Sequence, residues 1–332
     1  MLRCMYSGIS GMKVNQTKLD VIGNNIANVG TTGFKASSAR FKDMLYQNAG
    51  EATAPTTTKG GTNAKQVGLG AQLSSINKMM GQGNALSTGR SLDFCVDGDG
   101  YLIVGKGTSD ATITVGTNTA GVTDSITGGT IEDTLYTRDG NLTLDKDGSL
   151  LTSDGYRVMG YGITGTTIVP ATATAGRTIS VGASADGATA INTELIPLMI
   201  PDKVGTDPIK KFVIGKDGLI TAVLGTGSRV ALGQIALANF KNTEGLTGSG
   251  GNLSKASSNS GDAIIKSALG VTGTADNSGG YGDVVQGALE GSNVDLTEQF
   301  TDMITANRSF QAASKMITTG DEILQTITGL IR

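Results

Sequence analysis

The sequence predicts a mainly β fold with long α-helical termini, in which the N- and C-terminal helices pair as a coiled coil and β-rich body domains lie between them. Three observations support this fold class. Apolar residues recur every three, four or seven positions at both ends of the chain, which is the period of one helix face. The middle contains short strand-like segments separated by Asp-Gly turns. The 332 residues include 50 glycines and only five prolines, which is typical of many short strands and turns.

The C-terminal stripe predicts one helix of about 35 residues, which would be roughly 52 Å long. Ser292 and Asn293 are candidates for its N-terminal cap. Such a helix is far longer than the usual helix of a globular domain, so its apolar stripe requires a partner. The candidate subunit-assembly residues at this end are Leu296, Phe300, Met303, Ile304, Phe310, Ile317, Leu324, Ile327 and Ile331.

The N-terminal segment is the expected partner, because no proline interrupts residues 1–29. Its candidate assembly residues are Leu2, Met5, Ile9, Met12, Leu19, Ile22 and Ile26. An isolated helix is marginally stable in water, so two amphipathic termini predict pairing with each other, with other copies of the chain, or both. The alternative is an ordinary monomeric core in which the two termini meet.

Composition and pattern predict four parts. Residues 1–30 and 288–332 form a terminal helical coiled-coil domain, residues 31–75 an extended linker, residues 76–163 and 194–287 a β-rich core domain, and residues 164–193 a small inserted outer β unit. Large apolar residues in the linker predict docking points that become ordered in an assembly, although a flexible linker is the alternative. These docking residues are Phe34, Phe41, Met44 and Leu45.

Five Asp-Gly turns predict β-hairpins, because Gly after Asp tolerates the backbone angles of tight turns. The turns lie at residues 97–100, 139–141, 145–148, 153–155 and 217–218. The first would join residues 91–96 to residues 101–104. Cys4 and Cys95 are far apart and show neither CxxC nor zinc-ligand spacing, so each is expected to be a small buried apolar residue.

Composition argues against several classes of function. The 26 basic and 29 acidic residues nearly cancel, and no basic run indicates a nucleic-acid or anionic membrane surface. No run of 18 apolar residues predicts membrane insertion. The chain has no His, the commonest general base and metal ligand. We therefore expect no enzyme activity, no catalytic, metal-binding or cofactor-binding residues and no cofactor, and a secreted β-rich adhesin or binding module remains an alternative.

Several motifs resemble the bacterial flagellar rod and hook proteins. At the N-terminus these are residues 6–12 (YSGISGM) and 19–35 (LDVIGNNIANVGTTGFK), and at the C-terminus residues 289–296 (LEGSNVDL) and 300–304 (FTDMI). In the middle they are residues 92–94 (LDF), 136–141 (YTRDGN) and 232–240 (LGQIALANF). The linker motifs at 41–45 (FKDML) and 60–63 (GGTN) resemble the hook subunits of this family, with the distal rod subunits as the alternative.

The resemblance implies a structural subunit of the flagellar hook that self-assembles into a helical tube. This tube acts as a flexible universal joint between the motor and rod on one side and the filament on the other. The implied partners are further copies of the chain, the hook cap protein, the distal rod protein, the hook–filament junction protein and the flagellar type III export apparatus. The implied location is the hook or basal body of the flagellum, reached by export without a cleaved signal peptide.

Overall fold

The computed structural model describes residues 2–107, 111–116, 125–163, 167–169, 178–180, 191–205, 207–266 and 282–330. In these ranges helix α1 spans Leu2–Ala27, helix α2 spans Leu296–Leu330, and a short 3-10 helix spans Thr243–Gly245. The predicted length of the C-terminal helix is confirmed, because α2 contains 35 residues. The mainly β class with a helix at each end is confirmed as well.

The strands between the two helices are short. In chain order they are β1 Ser37–Asp43, β2 Tyr46–Gly50, β3 Lys65–Gly68, β4 Ala71–Lys78, β5 Ala85–Ser87, β6 Phe94–Asp97, β7 Tyr101–Lys106, β8 Ile113–Gly116, β9 Ser125–Gly129, β10 Asp133–Thr137, β11 Leu142–Leu144, β12 Leu150–Thr152, β13 Arg157–Ile163, β14 Thr167–Val169, β15 Thr178–Ser180, β16 Ile191–Pro197, β17 Lys203–Val204, β18 Asp207–Ile214, β19 Leu219–Leu224, β20 Arg229–Ile235, β21 Leu237–Asn239, β22 Thr247–Gly250, β23 Leu253–Lys255, β24 Ile264–Lys266, β25 Asp283–Gln286 and β26 Ala288–Glu290.

The chain divides into two compact units. The first unit comprises Met1–Val29, Lys35–Met79 and Val294–Arg332, and the second comprises Gly30–Phe34 and Met80–Asn293. The four-part division made from the sequence stays a prediction. Its inserted unit, residues 164–193, lies largely outside the described residues, and within it β14 pairs antiparallel with β15.

The first unit combines the two helices with two antiparallel ladders. Strand β1 pairs with β4, and β2 pairs with β3. A bridge between Thr53 and Thr62 continues the second ladder towards its tip. The segment whose composition resembles a linker therefore contains four paired strands, which its Gly- and Thr-rich sequence did not indicate.

The second unit is built around β7, a strand with two buried faces. Leu102 and Val104 lie in one hydrophobic cluster, whereas Tyr101 and Ile103 lie in another. Because successive side chains of a strand point to opposite faces, one strand can contribute to two cores. Within the described residues, 18 strands including β7 belong to one connected sheet system.

The hairpins predicted across residues 97–100 and 139–141 are wrong. At the second of these turns, β10 pairs with β7 and β23, whereas β11 pairs with β12. Strand β6 pairs with β25, and β7 pairs with β10, β13 and β21. Gly98 and Gly100 have positive φ values of 114° and 140°, but these are larger than the φ of about 60° with which a tight hairpin turn begins. This loop therefore carries the chain from one ladder to another.

The other three predicted hairpins are confirmed. Strand β11 pairs with β12, β12 with β13, and β18 with β19. Their turns contain Gly148, Gly155 and Gly218, which have φ values of 77°, 82° and 71°. These values lie close to the left-handed region that Gly adopts without steric cost.

Helix α2 begins after the two predicted caps. The Oδ1 atom of Asp295 accepts a hydrogen bond from the backbone N–H of Thr297 at 2.8 Å, so Asp295 is the cap. The side-chain amide of Asn293 instead donates to the carbonyl oxygen of Gly81 at 3.1 Å. The assignment of the cap to Ser292 or Asn293 is therefore wrong, because the chain stays extended for three more residues.

Candidate assembly surfaces

Helices α1 and α2 run antiparallel in the first unit. Gly320 lies against Met5 near one end, and the side chain of Asn25 donates to Gln299 Oε1 at 3.0 Å near the other. Between these points Lys18 forms an ion pair with Asp302 at 3.2 Å. Residues of α2 spaced by three and four are buried or half-buried on one side of the helix, here called the helix seam: Met303, Ala306, Phe310, Ala313, Ile317, Gly320 and Leu324.

Small residues of α1 allow close approach at the helix seam. A Cβ atom at Gly8 would lie 3.3 Å from Ile317 Cγ1, and one at Gly11 would lie 3.8 Å from the Cβ atom of Ala313. The other side of the same stretch faces the loop before β4. A Cβ atom at Gly70, where φ is 123°, would overlap the hydroxyl of Ser10. The motif at residues 6–12 therefore supplies small side chains on two sides of α1.

The predicted assembly residues fall into two groups in the single chain. One group is buried or half-buried: Met5, Met12, Leu19, Ile22, Ile26, Met303, Phe310, Ile317 and Leu324. The other group is exposed: Ile9, Leu296, Phe300, Ile304 and Ile327. The side chains of Leu2 and Ile331 lie outside the described residues. The single stripe predicted from the sequence is thus divided between a covered side and an open side.

Three further exposed apolar residues were not recognised from the sequence: Tyr6, Met316 and Ile323. Leu330, which widens the apolar stripe of the C-terminal sequence, is exposed as well. Met316, Ile323 and Leu330 recur every seven residues on α2, but on an arc displaced from the main apolar stripe. This second arc was the sequence signal that could have identified them. We call the exposed residues Phe300, Ile304, Met316, Ile323, Ile327 and Leu330, which all lie outside the helix seam, the open side of α2. The large side chain of Phe300 retains 50% of its accessible surface.

A groove of about 460 Å³ lies in the first unit beside Met316 and Ile323. It is lined by Cys4, Ala312, Lys315, Met316, Thr319, Gly320 and Ile323. The expectation that Cys4 is buried is wrong, because it lies in the first turn of α1 at the mouth of this groove, where it is exposed. The same expectation is confirmed for Cys95, which lies in β6 in the core of the second unit.

The predicted docking residues of the linker are partly exposed. Phe41 is exposed, Leu45 retains 80% of its accessible surface, and Met44 and Phe34 are half-buried. The neighbouring Tyr46 is also exposed, and a hydrogen bond to Asp43 raises the pKa of its phenol. Every residue of β3 and all of β2 except Gly50 are exposed. A two-stranded hairpin of this kind is marginally stable on its own, so it requires support from elsewhere.

A buried ion pair joins distant parts of the second unit. Arg138 Nη1 lies 3.4 Å from Glu290 Oε1, and both side chains are almost completely buried. Arg138 Nη2 also donates to the carbonyl oxygen of Gly98 at 2.8 Å, and the guanidinium lies 5.2 Å from the centre of the Tyr101 ring. Glu290 Oε1 accepts a further hydrogen bond from the backbone N–H of Gly83 at 3.0 Å. We call these five residues the buried junction.

The segment that follows α1 is bonded to the buried junction and its surroundings. The backbone N–H of Gly33 donates to the carbonyl oxygen of Glu290 at 2.8 Å. Gly33 has a φ of 67°, and a Cβ atom there would lie 3.1 Å from the backbone of Arg138. The Thr32 hydroxyl donates to Asp139 Oδ1 at 2.9 Å, and Asn252 donates to the Thr32 carbonyl at the same distance. Three motifs noted in the sequence, at residues 19–35, 136–141 and 289–296, therefore meet here.

Burial shifts the pKa of two tyrosines in the second unit. Burial raises the pKa of Tyr101, whereas the positive charge of Arg138 opposes that rise. Burial also raises the pKa of Tyr136 to about 12.

Among the described residues, no group of three or more His, Cys, Asp or Glu side chains is arranged to hold a metal ion. No helix in the described ranges has the length and apolarity needed to span a membrane.

Three family models match this chain. One described as flagella basal body rod protein matches residues 5–35, and one described as flagellar hook protein FlgE/F/G D1 domain matches residues 122–222. A third, described as flagellar basal body rod FlgEFG protein C-terminal, matches residues 285–330. The matched ranges include both helices and much of the second unit.

Full-length relatives are similar over the whole chain. The flagellar basal-body rod protein FlgG of Bacillus subtilis is 41% identical over 332 residues, with 100% of both chains covered. The flagellar hook protein FlgE of Borreliella burgdorferi is 30% identical over 448 aligned positions, which cover 99% of this chain and 100% of that protein. FlgG of Agrobacterium fabrum is 31% identical, with 98% of each chain covered. The order predicted from the linker motifs, hook before rod, is thus reversed.

Proposed function

The chain belongs to the family of flagellar rod and hook proteins, and we propose that within this family it is a subunit of the distal rod. Its family consists of structural proteins of the bacterial flagellum and not of enzymes. The similarity to FlgG spans 332 residues with both chains fully covered, which supports a rod subunit. The alignment with the hook protein of Borreliella burgdorferi extends over 448 positions, whereas this chain has 332 residues. That hook protein therefore contains segments with no counterpart in this chain.

The proposed subunit polymerises through its terminal helices. Within one copy α1 and α2 pair as a coiled coil along the helix seam, and the open side of α2 contacts neighbouring copies. The observation that carries this proposal is the set of exposed apolar side chains that α2 has outside the helix seam. Complete burial of a large apolar side chain contributes about 1.5–3 kcal/mol. Most residues of the open side are already about half covered, so each would contribute part of this amount, and several of them per subunit favour association.

The ladder of β2 and β3 forms a second contact in this proposal. Leu45, Tyr46 and Val67 are exposed apolar residues on a hairpin with little support in its own chain. In the assembled rod, the docking residues Phe34, Phe41, Met44 and Leu45 contact neighbouring subunits. The four-part division into terminal, linker, core and outer parts belongs to the same proposal.

The partners in the proposal are copies of this chain and the axial proteins before and after it in the flagellum. The chain reaches its site through the flagellar type III export apparatus. The hook is the second candidate, supported by the linker motifs and by the similarity to FlgE. In that case the hook cap protein and the hook–filament junction protein become partners.

Electron microscopy of matched variants tests the proposed assembly. The chain is concentrated with a precipitating salt as the unsubstituted protein, as Phe300→Asp on the open side of α2, and as Ile317→Asp in the helix seam. We expect tubes from the unsubstituted chain only. Circular dichroism distinguishes the reasons why the two variants form no tubes. We expect Phe300→Asp to retain the helix content, because only the contact between copies is lost, and Ile317→Asp to lower it, because the helix seam is disrupted.

Two outcomes would contradict parts of the proposal. Tubes from Phe300→Asp as abundant as those from the unsubstituted chain would refute the role of the open side of α2. Straight tubes are expected of a rod, which has to be stiff, whereas curved tubes would favour the hook, which has to bend.

A further inference from the structure

Asn25 is a buried polar residue on the face of α1 that packs against α2, which otherwise consists mostly of apolar and small residues and also contains the half-buried Lys18. Only 1% of its surface is accessible, and Ile22, one turn earlier, is buried as well. Its Nδ2 group donates to the carbonyl oxygen of Ser37 at 2.8 Å and to Gln299 Oε1 at 3.0 Å, and its Oδ1 atom accepts from the backbone N–H of Ser37 at 2.9 Å. One side chain thus connects α1, β1 and α2 within the first unit.

The chemistry of its partners fixes the orientation of this amide. The backbone N–H of Ser37 can only donate and the Ser37 carbonyl can only accept, so the oxygen and nitrogen of Asn25 are assigned without ambiguity. Both N–H groups of the amide are used. The two hydrogen bonds between Asn25 and Ser37 resemble the pair that neighbouring antiparallel strands exchange. The second N–H of the amide is then available to donate to Gln299 of α2.

The helix seam by itself does not define one alignment. Its residues on α2 repeat at heptad spacing from Met303 to Leu324, so sliding α2 by seven residues would again place small and apolar side chains against α1. One such slide would bring Ala306 opposite Asn25, and Ala306 has no side-chain acceptor. The opposite slide would place residue 292 there, which precedes the start of α2.

We propose that Asn25, together with Gln299, sets the register of the antiparallel helix pair. This inference rests on the coiled-coil pairing of the proposed function. Asn25 acts as a positioning residue, because a slipped register would leave its buried N–H group without an acceptor, whereas the observed register satisfies it. A buried Asn has the same effect in other coiled coils, where it favours one register over its alternatives.

Two engineered cysteine pairs report the register in the full-length chain. Cys4→Ser removes the exposed thiol of α1. The pair Gly11→Cys and Ala313→Cys reports the observed register, since the Cβ separation of 3.8 Å at these positions suits a disulfide. The pair Gly11→Cys and Gly320→Cys reports the register slipped by seven residues, about 10 Å along the helix.

The experiment is oxidation of the dilute protein followed by non-reducing electrophoresis, which separates intrachain from interchain disulfides. With Asn25 present, we expect an intrachain disulfide from the first pair and not from the second. In Asn25→Leu, which keeps the size of the side chain, we expect the ratio of slipped to observed disulfide to rise about tenfold, the factor equivalent to about 1.4 kcal/mol.

Two further variants keep the test independent of stability. Gln299→Leu removes the bond between the helices but retains both bonds to Ser37, and it should raise the same ratio by a smaller factor. Asn24→Leu is the matched control, because Asn24 is an exposed neighbour on the same helix and should leave the ratio unchanged. A substitution that merely loosens the fold lowers both disulfides together, whereas loss of register raises one relative to the other.

An unchanged ratio in both Asn25→Leu and Gln299→Leu would overturn the proposal. A failure of the first pair to form a disulfide with Asn25 present would overturn it too, because the helix pairing would then be absent. Microscopy of tubes is a separate measurement. Tubes formed by a chain whose register is insensitive to Asn25 would leave the proposed assembly standing and remove only the role of Asn25.

Discussion

The buried junction makes a quantitative prediction through Arg138→Met, which removes the guanidinium but keeps much of the side-chain volume. Glu290 would then remain fully buried without its cationic partner. Breaking a buried ion pair from one side costs about 3–5 kcal/mol, because the remaining charge is left uncompensated. The hydrogen bond to the Gly98 carbonyl and the contact with the Tyr101 ring are lost at the same time.

The matched control is Lys255→Met. Lys255 lies closer to its partner, at 2.8 Å from Asp133, but 56% of each side chain is accessible to solvent. Exposed ion pairs contribute little because water and salt screen them. If burial and not distance determines the effect, Arg138→Met lowers the stability of the second unit strongly, and Lys255→Met leaves it nearly unchanged.

Urea unfolding of the full-length chain, followed by circular dichroism and by tyrosine fluorescence, measures both variants. The chain contains no Trp and seven Tyr, so tyrosine is the available fluorophore. The double variant Arg138→Met with Glu290→Gln should lose less free energy of unfolding than the two single variants together, because it leaves no unpaired charge buried. Additive effects in this cycle, or equal effects of Arg138→Met and Lys255→Met, would show that the junction is not a coupled pair.

Three further predictions concern packing and titration. Gly70→Ala should expose the loop before β4 and the first turns of α1 to hydrogen exchange, because a Cβ atom there overlaps Ser10, whereas Gly60→Ala, which has open space around it, should change nothing. Gly140→Ala should destabilise the second unit, seen as a lower midpoint of thermal unfolding, because its Cβ atom would overlap the Phe94 carbonyl. The raised pKa of Tyr136, about 12 against an ordinary 10.0, stabilises the fold fully below pH 10, and this contribution of about 2–3 kcal/mol is lost as the pH rises from 10 to 12. Tyr136→Phe should therefore flatten the loss of stability in urea between pH 9 and pH 11.5, and an unchanged slope would contradict that origin.

Local patterns allowed the helices and most turns to be predicted from the sequence. The 35 residues of α2 follow from an apolar period that is independent of the rest of the fold. The turns at Gly148, Gly155 and Gly218 were predictable because Asp-Gly encodes the backbone angles they adopt. The loop at residues 97–100 carries the same dipeptides, but the partner of β6 is β25, nearly 190 residues further along the chain. Nothing in the dipeptides specifies that choice.

The buried junction could not be predicted for a similar reason. Arg138 and Glu290 are 152 residues apart, and charged residues are most often exposed. The sequence placed residue 290 with the terminal helix, whereas in the structure Glu290 lies at the end of β26 and belongs to the second unit. A periodic pattern locates the side chains of a helix, but a buried ion pair depends on the tertiary fold that brings its two members together.

The signature at residues 6–12 shows how much a local motif can contain once its surroundings are known. The sequence explains its apolar residues by helix amphipathicity and leaves its four small residues unexplained. In the structure Gly8 and Gly11 face α2, and Ser10 faces Gly70. Two sides of α1 are therefore covered within the chain, and small side chains are required on both. Tyr6 and Ile9 lie on the remaining exposed side. These two large apolar side chains remain exposed in the single chain. Contact with another copy would therefore bury more apolar surface on this third side of α1 than on the other two.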